Sequence, residues 1–330
     1  MSPIDYEQYE LYEEKFDRLK NDRQARRQRK PQVKHVAKKS QREIVDNIAD
    51  VEGVEGGFNT TYQPSKYEAG WLLAALQGFY DQALITDVLA QVKGGKEANV
   101  YRCEGDPSTN TKFLAAKVYR PRMFRSLSND KMYREGRRIL GADGNAVKAT
   151  DNRIMRAVGK KTAFGAQIAH TSWLMYEYKT MEALYQLGAN VPQPFAAGEN
   201  AILMSYFGDA QMAAPTLSEI RLDRSEAEIL FHKVLRNIEL MLQHGMIHGD
   251  LSAYNILYWE GEIVLIDFPQ VTNSESNSNA HFILRRDIER ICDYFSRQGV
   301  KTDAYTVLDG LVQRYMKMDA FPLEDLEDDL

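Results

Sequence analysis

Within residues 246–270, MIHGDLSAYNILYWEGEIVLIDFPQ, three polar residues have types and spacing suited to chemistry: Asp250, Asn255 and Asp267. Each is set among apolar residues. Ile256, Leu257 and Tyr258 read as one short strand and Ile263 to Ile266 as a second, with Trp259, Glu260, Gly261 and Glu262 as the turn. Such a hairpin returns the chain to its start, so Asp267 faces Asp250 and Asn255. An amide and a carboxylate together offer hard oxygen ligands of the kind that Mg²⁺, or Mn²⁺, carrying a nucleotide phosphate requires. Asp250 is then the group left to orient or deprotonate an attacking hydroxyl or water.

Phosphate chemistry at such a cradle needs a cation from elsewhere in the chain. Lys112 to Arg120, KFLAAKVYR, reads as a buried strand carrying Lys117. A lysine in that setting is expected to have a carboxylate partner, with a side chain that snorkels to solvent as the alternative. Trp173 to Leu187 has apolar residues at helical spacing and ends at Gly188. Glu177 is its candidate acid and Glu182 the competitor, since the sequence does not determine which face meets the strand. Ile85 to Val92 and Val100 to Cys103 read as strands flanking GGKEAN, where backbone N–H groups near Gly95 and Lys96 could lie over phosphates. A plain hairpin turn explains that segment as well. Ala201 to Phe207 reads as a strand leading into a polar connector, and Ser205 and Phe207 are candidates to offer backbone groups to a purine.

The remaining elements support these. Lys66 to Gln82 is an amphipathic helix through Trp71, Leu72, Ala75, Leu76 and Phe79. Ser225 and Glu228 form a capping-box pattern at the head of a helix that runs to His244 and delivers the chain to the catalytic loop. Gly245 separates His244 from His248, which argues against a zinc pair. His248 reads as a brace for the loop. Phe282 to Phe295 and Ala304 to Met318 read as helices, and a charge among Arg285, Arg286 and Asp287 is a candidate anchor for the loop, with ion pairing on the helix surface as the alternative. Residues 121–170 are basic and glycine-punctuated without a clear apolar period; they read as a long, mobile insertion able to touch nucleic acid or substrate, or as an uninvolved surface loop.

Bulk properties agree with an intracellular enzyme. The 330 residues, 44% hydrophobic, suit two domains or lobes with a real core, and the net charge of −5 excludes a polycation. Two cysteines, Cys103 and Cys292, make no disulfide framework and fit a reducing compartment. There is no signal-peptide pattern and no apolar run of membrane-spanning length, so the expectation is a cytoplasmic protein without membrane partners. Residues 1–65 read as a separate arm and linker, with a thin helical pattern from Tyr6 to Arg29 and a basic run from Arg18 to Arg42 that could lie on RNA phosphates or simply be solvated. The other boundaries read as a first lobe at 66–207, a second at 208–318 and an acidic tail at 319–330.

In order, these pieces resemble the RIO family of atypical protein kinases. The resemblance rests on GKEANVY at 95–101, AKVYR at 116–120, Trp173 to Met181, His248 to Asn255, IDFPQ at 266–270 and the helical region Phe282 to Val300. It implies an α+β, two-lobed protein-kinase-like fold, with a small β-rich N-lobe, a mainly helical C-lobe and no conventional activation segment. No A-P-E follows Asp267, and D-F-P stands where protein kinases have D-F-G. Lys117 would hold the α- and β-phosphates of ATP and pair with Glu177; Asp250 would be the general base; Asn255 and Asp267 would hold the metal. Ser205 and Phe207 would meet adenine. The family also implies serine/threonine phosphorylation of a protein or of the enzyme itself, acyl-phosphate formation at Asp267, and ATPase switching in maturation of the small ribosomal subunit, with ribosomal RNA or a pre-ribosomal particle as partner. The first 65 residues do not show the winged-helix pattern that some members carry, and the stretch between Lys117 and Glu177 is long. Two other classes compete. Aminoglycoside- or choline-type kinases share H-G-D-x-x-x-x-N but usually continue H-G-D-L-H, where this chain has Ser252. A nucleotide-gated RNA-binding factor with little turnover is the third reading.

Overall fold

The computed structural model describes residues 60–95, 97–120, 133, 135, 137–148, 150–160 and 162–316. All of them fall in one unit, Val51–Leu330. The expectations for residues 1–59, including the basic arm, and for the acidic tail lie outside the described residues. The six residues 60–65, expected to be linker, are tied to the sheet instead: the Tyr62 N–H donates to the Val88 carbonyl at 2.8 Å and Thr61 bonds to Asp87.

Helix α1, Lys66–Asp81, opens with a capping box between Ser65 and Glu68. It buries Leu72, Leu76 and Phe79 at i, i+4 and i+7. Against this stripe lies an antiparallel five-stranded sheet in the order β1-β2-β3-β5-β4. Its strands are β1 Ile85–Gly94, β2 Ala98–Gly105, β3 Phe113–Tyr119, β4 Pro194–Ala197 and β5 Ala201–Ser205. The two-residue period assigns the faces. Leu114, Ala116 and Val118 pack with Tyr101, Cys103 and Leu203 in the core under α1. Lys117 and Tyr119 therefore point the other way, where Tyr119 and Ile202 join the second core.

That second core is built on helices. Following β3 come α2, Asn152–Gly159, and α3, Ala163–Gln186. The expected insertion at 121–170 is thus helical over much of its second half, and α3 begins at Ala163 rather than Trp173. The first turns of α3, AFGAQIAHT, carry no apolar stripe, which hid them; Gly165 instead lets the backbone of α2 approach so closely that a Cβ would overlap the Ala157 carbonyl. Helix α4, Arg224–Gln243, buries Leu230, Val234, Ile238, Met241 and Leu242. The Ser225–Glu228 capping box does not form: Asp223 occupies the cap position, and Glu228 pairs with Arg224 at 2.9 Å.

Gly245, at φ +69°, turns the chain into β6, Met246–Ile247, which pairs with β9, Thr272–Asn273. Between them the hairpin forms from β7, Ile256–Trp259, and β8, Glu262–Leu265, joined by Glu260 and Gly261. Both turn residues have positive φ, 50° and 81°, matching the right-handed twist of the strands. Helices α5, Ala280–Arg297, and α6, Ala304–Tyr315, complete the helical lobe. The architecture is the α+β, protein-kinase-like arrangement of a sheet-based lobe beside a helical one. Among the described residues, no helix is long and apolar enough to cross a membrane.

Candidate active site

The loop from His248 to Asn255 is held from behind by α5. Asp287 accepts the N–H of Gly249 at 2.8 Å and of Leu251 at 3.2 Å. Arg286 donates to the Gly249 carbonyl and, at 2.6 Å, to the Tyr133 hydroxyl. All of these are buried, and burial raises the Asp287 carboxyl despite the opposing Arg286 charge. His248 braces the loop on its other side. Its Nδ1 accepts the Asp250 N–H at 3.3 Å, so Nε2 carries the hydrogen and donates to the Ile266 carbonyl at 3.2 Å. Gly249 has φ +84°, and a Cβ there would overlap the Gln270 carbonyl oxygen. Gly249→Ala is therefore expected to cost about 2 kcal/mol or more of stability, read as a lowered urea midpoint. A midpoint equal to wild type would show that the loop is not held in this conformation.

Asp250 does not stand free. Arg290 donates to its Oδ1 at 2.7 Å, and Asn255 donates through Nδ2 to its backbone carbonyl at 2.8 Å and to Oδ2 at 3.2 Å. The sequence reading left this carboxylate unpartnered; the structure holds it in one orientation. Because the Asn255 nitrogen is committed to Asp250, the Oδ1 oxygen is the atom that can face a cation. The Ile266 N–H donates to the Asn255 carbonyl at 2.9 Å, closing the hairpin beneath Asp267. Asn255 Oδ1 and the Asp267 carboxylate are hard oxygen donors, a set that fits Mg²⁺ or Mn²⁺ with the remaining positions left to phosphate oxygens and water.

Lys117 bridges the two lobes. Its ammonium lies 2.6 Å from Glu177 and 2.5 Å from Asp267. Glu182, the alternative partner, pairs with Lys179 instead. Tyr119 donates its hydroxyl to the second oxygen of Glu177 and sets its ring edge-on to Trp173 at 4.7 Å. Burial alone would lower the Lys117 ammonium, but the two carboxylates raise it well above its ordinary value. Burial raises Glu177, with Lys117 opposing. For Asp267 the balance reverses: burial raises it, yet the Lys117 charge and hydrogen bond hold it below the ordinary carboxylate range. Asp267 also sits at φ +74°, a left-handed conformation that non-glycine residues adopt rarely and that recurs where function demands it.

The expected nucleotide contacts are less uniformly placed. The Ser205 N–H already donates to the Gln193 carbonyl at 2.8 Å, and the Phe207 carbonyl accepts from Ala214 at 2.9 Å, so neither of those two groups is available to a base. Gly95 lies in a tight turn where a Cβ would be 2.7 Å from the Ala98 carbonyl oxygen. Lys96 lies outside the described residues. Lys93, half-buried on β1, is not singled out by the sequence; burial lowers its ammonium while Asp267 and Glu219 pull it back up, so it is a second cation near Asp267.

Two further groups have partners that the sequence does not show. Arg290 is fully buried on α5, and its signal was its i+4 spacing from Arg286 inside the apolar frame of Ile283, Leu284, Ile288 and Ile291. Arg137 belongs to the segment expected to be a mobile loop. It donates to the carbonyls of Pro269 at 2.9 Å and Val271 at 2.6 Å, just beyond Asp267, with its guanidinium over the Tyr176 ring.

The segment that carries Glu177, the braced loop and the hairpin ending in Asp267 matches a known family. The model of the RIO domain matches residues 131–307. The chain belongs to the RIO family. The matched segment contains Glu177, Asp250, Asn255 and Asp267, whereas the glycine turn and Lys117 precede it. Among curated relatives, the RIO-type serine/threonine-protein kinase Rio1 of Haloferax volcanii is 29% identical over 219 residues, 64% of each chain. The serine/threonine-protein kinase RIO1 of Homo sapiens is 25% identical, covering 66% of this chain and 35% of its own length. The RIO-type serine/threonine-protein kinase Rio2 of Methanocaldococcus jannaschii is 32% identical over a shorter stretch, 40% of this chain and 50% of its own. The similarity thus spans from about a third to just under two thirds of these RIO kinases.

Proposed function

We propose that this RIO-family chain is an ATP-dependent phosphotransferase acting on serine or threonine hydroxyls of proteins, its own chain included. The observation that carries the reading is the Lys117 ammonium held between Glu177 and Asp267 at 2.6 and 2.5 Å. Phosphoryl transfer asks mainly for positioning and charge neutralisation, and this arrangement supplies a preset cation opposite a carboxylate–amide pair. In the working complex Lys117 meets the α- and β-phosphates while Glu177, steadied by Tyr119, keeps it in place. Asn255 and Asp267 would hold Mg²⁺ or Mn²⁺. The metal, when bound, supplies charge that offsets the phosphate oxygens and the leaving group. Asp250 accepts the hydroxyl hydrogen of the acceptor. The Arg290 hydrogen bond keeps the carboxylate aimed, and in a loose transition state aim matters more than strong basicity. A purine would be met by the Ser205 carbonyl and the Phe207 N–H, and its phosphates by the turn at Gly95 and Lys96.

The relatives named above are protein kinases, which favours a protein acceptor over an amino-alcohol. Slow hydrolysis of ATP by the same groups would serve as a switch, with a cytoplasmic pre-ribosomal particle as the partner consistent with the family. The test supplies the protein with γ-labelled ATP and Mg²⁺, offering a protein mixture in one arm and a panel of amino-alcohols in the other. Label is expected in protein, including the chain itself, and Asp250→Asn is expected to reduce it by about 10²-fold or more. Label confined to an amino-alcohol, or an unaffected Asp250→Asn variant, would overturn the reading.

A further inference from the structure

Helix α1, the segment before it and the glycine turn all precede the region matched by the family model, and a continuous polar chain, buried at Tyr101 and Asn99 and half-buried at its ends, joins them. It begins at Glu68, in the first turn of α1. Glu68 accepts hydrogen bonds from Tyr62 at 3.1 and 3.3 Å and from the Tyr101 hydroxyl. Tyr101 accepts in turn from Asn99 Nδ2 at 3.0 Å. Asn99 Oδ1 receives the Arg120 guanidinium at 3.1 and 3.3 Å and the Gly95 N–H at 3.4 Å. The Arg120 N–H closes the same turn by donating to the Glu97 carbonyl at 2.8 Å. Asn99 is 4% exposed and Tyr101 0%.

The faces of β2 decide what this chain can do. Asn99, Tyr101 and Cys103 are the buried positions of the strand, and Tyr101 and Cys103 belong to the core beneath α1. Lys117 lies on the opposite face of the neighbouring strand, toward Glu177 and Asp267. The chain therefore reaches the turn from behind, on the side away from the phosphate-binding groups. Burial pushes the Tyr101 hydroxyl well up, so it remains a donor at all working pH. Each link leaves the next group one orientation: Glu68 takes the Tyr101 hydrogen, which turns the oxygen lone pair to Asn99, which turns the Asn99 carbonyl to Gly95 and Arg120. A relay of this kind is stable only when every member is satisfied.

We infer that Glu68, Tyr101 and Asn99 are positioning residues for nucleotide phosphates: they set the glycine turn from its rear face and so determine affinity for ATP without touching it. The inference rests on the phosphotransferase reading above. Because the turn meets phosphates and not the base, its disturbance weakens ATP while sparing adenosine. That distinction separates positioning from a general loss of fold.

Tyr101→Phe removes one hydroxyl and keeps the buried ring. Affinities for Mg·ATP and for adenosine are measured by calorimetry on the full chain, with the KM for ATP and kcat alongside. The expected result is a KM and dissociation constant for ATP raised roughly five- to tenfold, the effect of a lost buried hydrogen bond, with adenosine affinity and kcat within twofold of wild type. Should Tyr101→Phe melt early, Glu68→Gln keeps the size and one acceptor oxygen for Tyr101 while removing the charge at the head of the relay, and the same split is expected at smaller amplitude. Equal weakening of ATP and adenosine, or no change in either, overturns the inference while leaving the phosphotransferase reading intact. Wild-type protein that binds no Mg·ATP overturns both.

Discussion

Asp267→Ala is expected to abolish Mg²⁺-dependent phosphate transfer and release, lowering turnover by about 10²- to 10³-fold or more. Asp267 is the point at which two requirements meet. In the proposed phosphotransferase it supplies the carboxylate of the metal pair, and it is one of the two anions that hold Lys117 in the cleft. Alanine removes both at once, while Glu177 keeps its own contact with Lys117, so the fold is expected to survive. A modest stability cost of about 1 kcal/mol follows from placing alanine at φ +74°. Asp267→Asn separates the effects. Asparagine tolerates the left-handed conformation and keeps an oxygen donor but lacks the charge, so turnover should fall nearly as far with stability closer to wild type. Initial rates with labelled ATP across a Mg²⁺ series check both variants. Wild-type turnover in Asp267→Ala would remove Asp267 from the chemistry.

Much of this site is legible in sequence because its parts are local or periodic. The hairpin that carries Asn255 to Asp267 announces itself through two β-branched runs and a Glu-Gly turn, and the structure pairs Ile256 with Leu265 and Trp259 with Glu262 as that spacing requires. Lys117 is exposed by the oddity of a lysine in an apolar strand. What remained open was long-range. Glu177 and Glu182 lie on one helix, and only the docking of α3 against the sheet decides that Glu177 meets Lys117. The braces of the catalytic loop stayed ambiguous for a related reason. Arg286, Asp287 and Arg290 look like surface charge until α5 turns them inward against Gly249, Asp250 and Leu251. At Ser205 the sequence leaves open which backbone group is available. A strand end beside a polar connector offers backbone groups in principle, but pairing with residue 193 had already taken the N–H.

Lys117→Met is expected to lower stability by about 3 kcal/mol near pH 7, beyond its loss of activity, and the size of that loss should shrink toward pH 5. The reason lies in what the substitution leaves behind. Glu177 is buried, and burial already raises its carboxyl against the opposing pull of Lys117. Without that pull its proton affinity rises further, and the Tyr119 hydroxyl is the hydrogen bond that remains to it. A carboxyl whose folded value lies above its unfolded value favours the folded state in acid and loses that contribution as pH rises through the folded value. The variant therefore bears its full penalty near neutrality and sheds it on acidification, when Glu177 becomes neutral. In the wild type Asp267 behaves with the opposite sign: held below its ordinary range by Lys117, it contributes stability that disappears only in stronger acid, so it changes little between pH 7 and 5. Urea unfolding of both proteins at the two pH values gives the difference directly. The double variant Lys117→Met, Glu177→Gln supplies the decisive comparison, because a neutral amide in place of the carboxylate should return most of the lost stability at pH 7 while activity stays absent. A single variant equally destabilised at both pH values, or a double variant no more stable than the single, would mean that an unpaired buried charge is not what the lysine prevents.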